Sequence, residues 1–113
     1  FGGLAAVHQF SRIGRNAFIG GGAIVVEDVI PFGSVVGNHA KLSGLNMVGL
    51  KRRGFDKEQL MQIRSAYKAV FFGDGLFRDR LAKAAADFAD KPLAMELISF
   101  IQAGGDRPIC KPA

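Results

Sequence analysis

A chain of 113 residues, 49% apolar and 22% charged, has the size and composition of one ordinary domain. Its single cysteine, Cys110, rules out an internal disulfide framework and suits a reducing compartment, and no apolar run approaches the roughly 20 residues that a membrane helix needs. The formal net charge is +5, and residues 1–53 hold Arg12, Arg15, Lys41, Lys51, Arg52 and Arg53 against only Glu27 and Asp28, a balance that suits an anionic partner (a phosphate, a nucleotide or an acidic protein) or solubility alone.

The first thirty residues read in sixes. The first place of each six is large and apolar (Phe1, Val7, Ile13, Ile19, Val25), and the fifth is small or β-branched (Ala5, Ser11, Ala17, Ala23, Val29). The second is Gly except at His8 and Val26. A fixed six-residue period of this chemistry is the signature of a parallel β-helix built from hexapeptide repeats. Three hexads make one triangular coil, so residues eighteen apart should stack: Phe1 on Ile19, Val7 on Val25. First-place side chains fill the prism, each worth roughly 1.5–3 kcal/mol when buried. The fifth place is small because the interior is narrow, and Gly in the second place suits a corner that needs a permissive backbone. The alternatives are an ordinary Gly-rich strand pair or chance, and five consecutive matches at one register argue against chance. Repeat folds need about three units to bury their faces, five sixes are fewer than two coils, and the chain opens directly on a hexad with no initiator Met. It is therefore expected to be the C-terminal piece of a longer protein, its first coil open where an upstream coil belongs.

Beyond Ile30 the repeat loosens. Pro31-Phe32-Gly33 is a turn, Ser34-Val35-Val36 one more short strand, and Gly37-Asn38-His39-Ala40 a second turn that closes the solenoid. Lys41 to Gly44 reads as an exit loop, and Leu45 to Arg53 as a short helix stopped by Gly54. Asp56 is a good N-cap with Gln59 in capping-box spacing. Leu60, Ile63, Tyr67, Val70 and Phe71 then form one apolar stripe, ended by Gly73-Asp74-Gly75. A second helix is expected from Leu76 to Phe88, and a third opens at Pro92 and carries Leu93, Leu97, Phe100 and Ile101. These stripes read as core. Gly104-Gly105 stops the last helix, and Asp106 to Ala113, with two prolines, reads as a frayed tail. The expected architecture is mainly β plus α: the last coils of a left-handed parallel β-helix over residues 1–43, then a C-terminal α-helical domain over 44–113 that covers edges a bare last coil would expose.

Several residues could carry chemistry. His8 puts an imidazole at a corner where Gly is usual, projecting off the prism; it could act as a general base, hold a ligand oxygen, bind metal, or simply pack on the surface. Gln9 beside it offers an amide. His39 sits in the closing turn beside Asn38. Two histidines without a nearby Cys make a poor zinc site, which wants about three protein ligands. Lys51-Arg52-Arg53 lies where cations complement a helix C-terminus, and an arginine fork there also suits phosphate. With no interleaved aromatics it does not suit nucleic acid. Gly20-Gly21-Gly22 lacks the Lys-Ser/Thr of a P-loop and the helix that follows one; inside a hexad register it packs tightly and leaves a groove in which a flexible chain could lie.

The runs Ala6-Val7-His8-Gln9-Phe10, Ile13-Gly14, Gly20-Gly21, Gly37-Asn38-His39-Ala40, Gly44-Leu45-Asn46 and Gly49-Leu50-Lys51-Arg52-Arg53-Gly54-Phe55 strongly resemble the C-terminal part of the bacterial UDP-N-acetylglucosamine O-acyltransferases, the family that begins lipid A biosynthesis. The resemblance runs in order and without gaps through residues 1–55, and beyond them it is one of pattern. It implies a cytoplasmic homotrimer with active sites in clefts between β-helices, using no metal or cofactor. The donor would be a 3-hydroxyacyl thioester on acyl carrier protein, and the acceptor the 3-hydroxyl of the sugar nucleotide. The family's general-base histidine lies on an earlier coil, outside this sequence. His8 matches a different active-site histidine, implying substrate positioning, with Gln9 beside it. Asn46, Arg52 and Arg53 match nucleotide-contact positions. Gly21 and His39 match positions along the acyl-chain groove, and a glycine at 21 implies room for a longer chain. Two places depart from the family: Val48 stands where an acidic residue is common, and Lys41-Leu42-Ser43 where a Thr-Pro-Phe segment is common.

Two other readings compete. One is the pathway's N-acyltransferase, a similar β-helix against which the GLKRRGF stretch argues. The other is a non-catalytic trimeric β-helix that only scaffolds or binds a nucleotide sugar. No nucleic-acid partner and no membrane insertion are expected.

Overall fold

The computed structural model describes residues 6–7, 11–37, 40–105 and 107–112. Three parallel ladders surround one interior. Strand β1 (Ala6–Val7) pairs with β3 (Ile24–Val25), Ile13 bridges to Val29, and β2 (Phe18–Ile19) pairs with β4 (Gly33–Val36). Val7 stacks on Val25, eighteen residues on, as the hexads predict. The next coil is tighter: Ile13 meets Val29 and Ile19 meets Val35, both sixteen apart. The six that begins at Val25 is therefore two residues short, and Val29 takes a first place of its own. Ile19, Val25, Val29 and Val35 are fully buried in the prism.

The corners correct the reading of glycine. Second-place Gly14 and Gly20 do not have positive φ. They are small because the next coil is close: a Cβ on Gly14 would strike the Pro31 backbone, and one on Gly20 would lie 3.0 Å from the Val36 side chain. The left-handed conformation falls in the fourth place, at Asn16 (φ 59°), Gly22 (φ 79°) and Phe32 (φ 67°). Asn tolerates that region and a bulky residue does not. Phe32 is held there by full burial, by edge packing on Phe55 at a centroid distance of 6.0 Å, and by a bond from its N–H to the Arg15 carbonyl.

The expected exit loop is a strand. β5 (Lys41–Leu45) runs antiparallel to β4, with a bulge between Ser34 and Val35. Left-handed Gly37 and Ala40 flank the reversal, so the last coil ends in a hairpin that buries Leu42. A boundary at 43/44 falls inside this strand.

Helices follow close to expectation: α1 (Met47–Arg52), α2 (Lys57–Phe71), α3 (Phe77–Asp87) and α4 (Pro92–Ala103). The capping box of Asp56 and Gln59 is formed in both directions, and Pro92 opens α4. Helices α2, α3 and α4 pack on one another around Ile63, Val70, Ala84, Ala94, Leu97 and Ile98. Ala94 and Ile98 belong to this core, while Phe100 is half-buried under Arg12, whose guanidinium lies 4.2 Å from the ring centroid. None of the described helices is long and apolar enough to cross a membrane.

Residues 107–112 of the tail are not frayed. Ile109 bridges in parallel to Asp28 and Pro112 to Leu42, and Ile109 and Cys110 are buried. Prolines do not prevent this, because single bridges leave the proline nitrogens out of the ladder: Asp28 N–H donates to the Pro108 carbonyl and Cys110 N–H to the Asp28 carbonyl.

Candidate functional site

Two arginines of the basic half hold the domain together. Arg12 donates from its backbone N–H and its Nε to the Asp28 carboxylate, at 2.9 and 2.8 Å, and from Nη2 to the Phe100 carbonyl. Arg15 makes a two-pronged pair with Glu96 of α4, both contacts 2.8 Å, and that acceptor raises its already high pKa further. Neither has its charge unmatched, so the excess of Lys and Arg that faces outward from residues 1–53 is narrower than composition suggests.

Of the four remaining cations of residues 1–53, Arg52 and Arg53 line a cleft that Lys41 and Lys51 do not line. Asn46, between β5 and α1, ties the helix to the β-helix corners. Its N–H donates to the carbonyl of left-handed Phe32 at 2.7 Å, and its Nδ2 to the carbonyl of left-handed Asn16 at 3.1 Å. Its Oδ1 caps α1 by accepting from Gly49 N–H at 3.3 Å. Gly49 leaves room for that carboxamide, since a Cβ would lie 2.5 Å from the Asn46 amide nitrogen and displace it. Thus fixed, α1 delivers Lys51 and Arg52 in its last turn, where cations complement the helix dipole, with Arg53 as the C-cap. Arg53 Nη1 donates to the Asn16 side-chain oxygen.

The outcome is an open cleft of about 590 Å³ lined by Phe18, Ser34, Leu45, Asn46, Met47, Val48, Gly49, Arg52 and Arg53. It joins two exposed guanidinium groups to an apolar wall on which Phe18 and Val48 are 45% and 64% exposed. Such a surface can hold a phosphate-bearing ligand by charge and planar donors while an apolar group lies alongside. Asn46, Arg52 and Arg53, three of the residues named from the sequence, converge here. Gly21 does not line the cleft; it sits in the exposed turn between β2 and β3. His8, Gln9 and His39 lie outside the described residues. Sequence reading gave no role to Asn16. Its signal was present as an αL-tolerant residue at a corner, but its partners are 30 and 37 positions away.

A family model described as UDP N-acetylglucosamine O-acyltransferase, domain 2, matches residues 28–110. The acyl-[acyl-carrier-protein]–UDP-N-acetylglucosamine O-acyltransferase of Sinorhizobium medicae (strain WSM419) is 48% identical over 111 residues, which are 98% of this chain and 41% of that protein. The enzyme of the same name from Caulobacter vibrioides (strain ATCC 19089 / CIP 103742 / CB 15) is 55% identical over 88 residues, 78% of this chain and 34% of that protein. The crystal structure of the Arabidopsis UDP-N-acetylglucosamine acyltransferase superposes with a TM-score of 0.87 at 35% identity, covering 95% of this chain and 40% of that one. The chain spans about two fifths of the length of such relatives. The fold is a left-handed parallel β-helix followed by a C-terminal helical domain, as expected from the hexads and from the apolar stripes after Asp56. With a model match over most of its length and this likeness in fold, the chain belongs to the UDP-N-acetylglucosamine O-acyltransferase family.

Proposed function

We propose that this chain is the nucleotide-holding part of an O-acyltransferase that moves a 3-hydroxyacyl chain from acyl carrier protein to the 3-hydroxyl of UDP-N-acetylglucosamine, the first step of lipid A biosynthesis. The observation that carries this reading is the convergence of Asn46, Arg52 and Arg53 on one cleft with an apolar wall. Arg52 and Arg53 face the diphosphate, with Asn46 holding the helix that presents them. His8 and Gln9 position the sugar, and Gly21 and His39 border the acyl chain.

A sugar hydroxyl is a poor nucleophile until a positioned imidazole takes its proton as it attacks. The thioester carbon then gains the C–O bond, the oxyanion is held by N–H donors, and the C–S bond breaks to release the carrier's thiol, which takes up the proton. Held ends make the attack effectively intramolecular. The base belongs to an earlier coil, and no metal or cofactor takes part. The acidic carrier meets the basic surface, and the reaction runs in the cytoplasm.

A homotrimer is supported by where the apolar residues lie. Ile24 and Val26 are exposed on the β1/β3 face, Phe18 and Val36 on the β2/β4 face, and the third is tied to α4 through Arg12 and Arg15. Unlike apolar faces on one prism suit a closed ring in which each copy meets the next.

The test is turnover. The complete protein, given UDP-N-acetylglucosamine and a 3-hydroxyacyl carrier protein, should yield the 3-O-acylated sugar nucleotide and free carrier thiol. Binding without product would favour the scaffold reading, and acylation at nitrogen the related N-acyltransferase. Residues 1–113 alone should give no product.

A further inference from the structure

Arg12 and Arg15 are each held by a carboxylate, Asp28 or Glu96, and their charge is matched inside the protein. Arg53 is held differently: the oxygen it donates to belongs to the neutral carboxamide of Asn16. A neutral tether fixes a guanidinium without cancelling its charge and leaves its other N–H donors for an anion. The same residue's backbone carbonyl accepts from the Asn46 side chain, because the left-handed corner (φ 59°) presents that carbonyl to α1. One corner of the β-helix thus holds both the start and the end of the helix that lines the cleft.

We propose that Asn16 is a positioning residue for the sugar nucleotide, setting the direction of the Arg53 guanidinium toward the diphosphate while leaving its charge available. This rests on the nucleotide reading of the cleft given above. Asn16 touches no reacting atom; it acts through Arg53. Its loss should therefore weaken nucleotide binding and spare the chemical step.

Glycine accepts the same backbone, so Asn16→Gly keeps the corner and the carbonyl bonded to Asn46 and removes only the tether. Asn16→Asp keeps the tether and adds the charge that the native residue withholds. Both are compared with Arg53→Ala and with the Asn16→Gly/Arg53→Ala double variant, in the complete protein with UDP-N-acetylglucosamine varied. Asn16→Gly should raise KM for the nucleotide about tenfold, the scale of one hydrogen bond to a charged group, and leave kcat within about twofold. Asn16→Asp should raise KM at least as far. In the Arg53→Ala background, Asn16→Gly should add less than about twofold, since the group it orients is gone. Full additivity in the double variant, or wild-type KM for Asn16→Asp, would overturn the positioning role alone. Wild-type KM for Arg53→Ala would overturn the nucleotide reading of the cleft and this proposal with it.

Discussion

Asn46 concentrates the logic of the cleft in one side chain. Its backbone and carboxamide bond to Phe32, Asn16 and Gly49, so whatever moves it moves α1. Gly49→Ala tests this, because two effects oppose. Alanine is favoured over glycine inside a helix by about 1 kcal/mol. The new Cβ would press on the Asn46 amide and cost the cap, about 1 kcal/mol, together with the bond to Asn16. The displaced amide wins: the thermal midpoint should stay level or fall, and KM for the nucleotide should rise several-fold. A variant that is more stable with unchanged KM would show that Asn46 does not control α1. The family resemblance pointed to Asn46 from its place in the sequence, but reading it as a ligand contact missed its hydrogen bonds inside the protein. Those depend on corners 14 and 30 residues upstream.

Among the elements, the tail shows where local reading stops. The capping box of α2 is legible because Asp56 and Gln59 are three residues apart, and Pro92 announces α4 by itself. Ile109 has no such local partner. It is bridged to Asp28, 81 residues earlier, and two prolines in the segment point away from a strand. Asp28 is the pin. Its side chain is 4% exposed and pairs with both Arg12 and Arg107. Asp28→Ala should destabilise the protein by about 2 kcal/mol, because it takes the acceptor from the Arg12 backbone N–H and from two guanidinium groups that water can only partly reach. Cys110 reports on the same strap. Burial, aided by the carboxylates of Glu27 and Asp28, pushes its thiol from the ordinary 9.0 up to about 11. The stability this neutral thiol lends is complete below pH 9 and is lost as pH rises toward 11, where the folded thiol also ionises. At pH 8 the native thiol should resist a thiol reagent and become reactive in Asp28→Ala; equal protection in both would contradict the pin.

In the whole molecule, two chemistries share one set of basic residues. The hexad period revealed the prism because every first place must fill the same interior. It did not reveal the coil shortened to sixteen residues, since Val25 to Ile30 can be read as a full six. Nor could charge counting separate Arg12 and Arg15, which staple the β-helix to the helical layer, from Arg52 and Arg53, which face the cleft. That division is the basis for treating the cleft as the nucleotide's seat. Calorimetric titration of UDP-N-acetylglucosamine into the complete protein, wild type against Arg52→Ala/Arg53→Ala, reads it most directly. Loss of two charge-assisted contacts should weaken binding by about 100-fold or more with the fold intact; equal affinity in the two proteins would contradict a nucleotide site at this cleft.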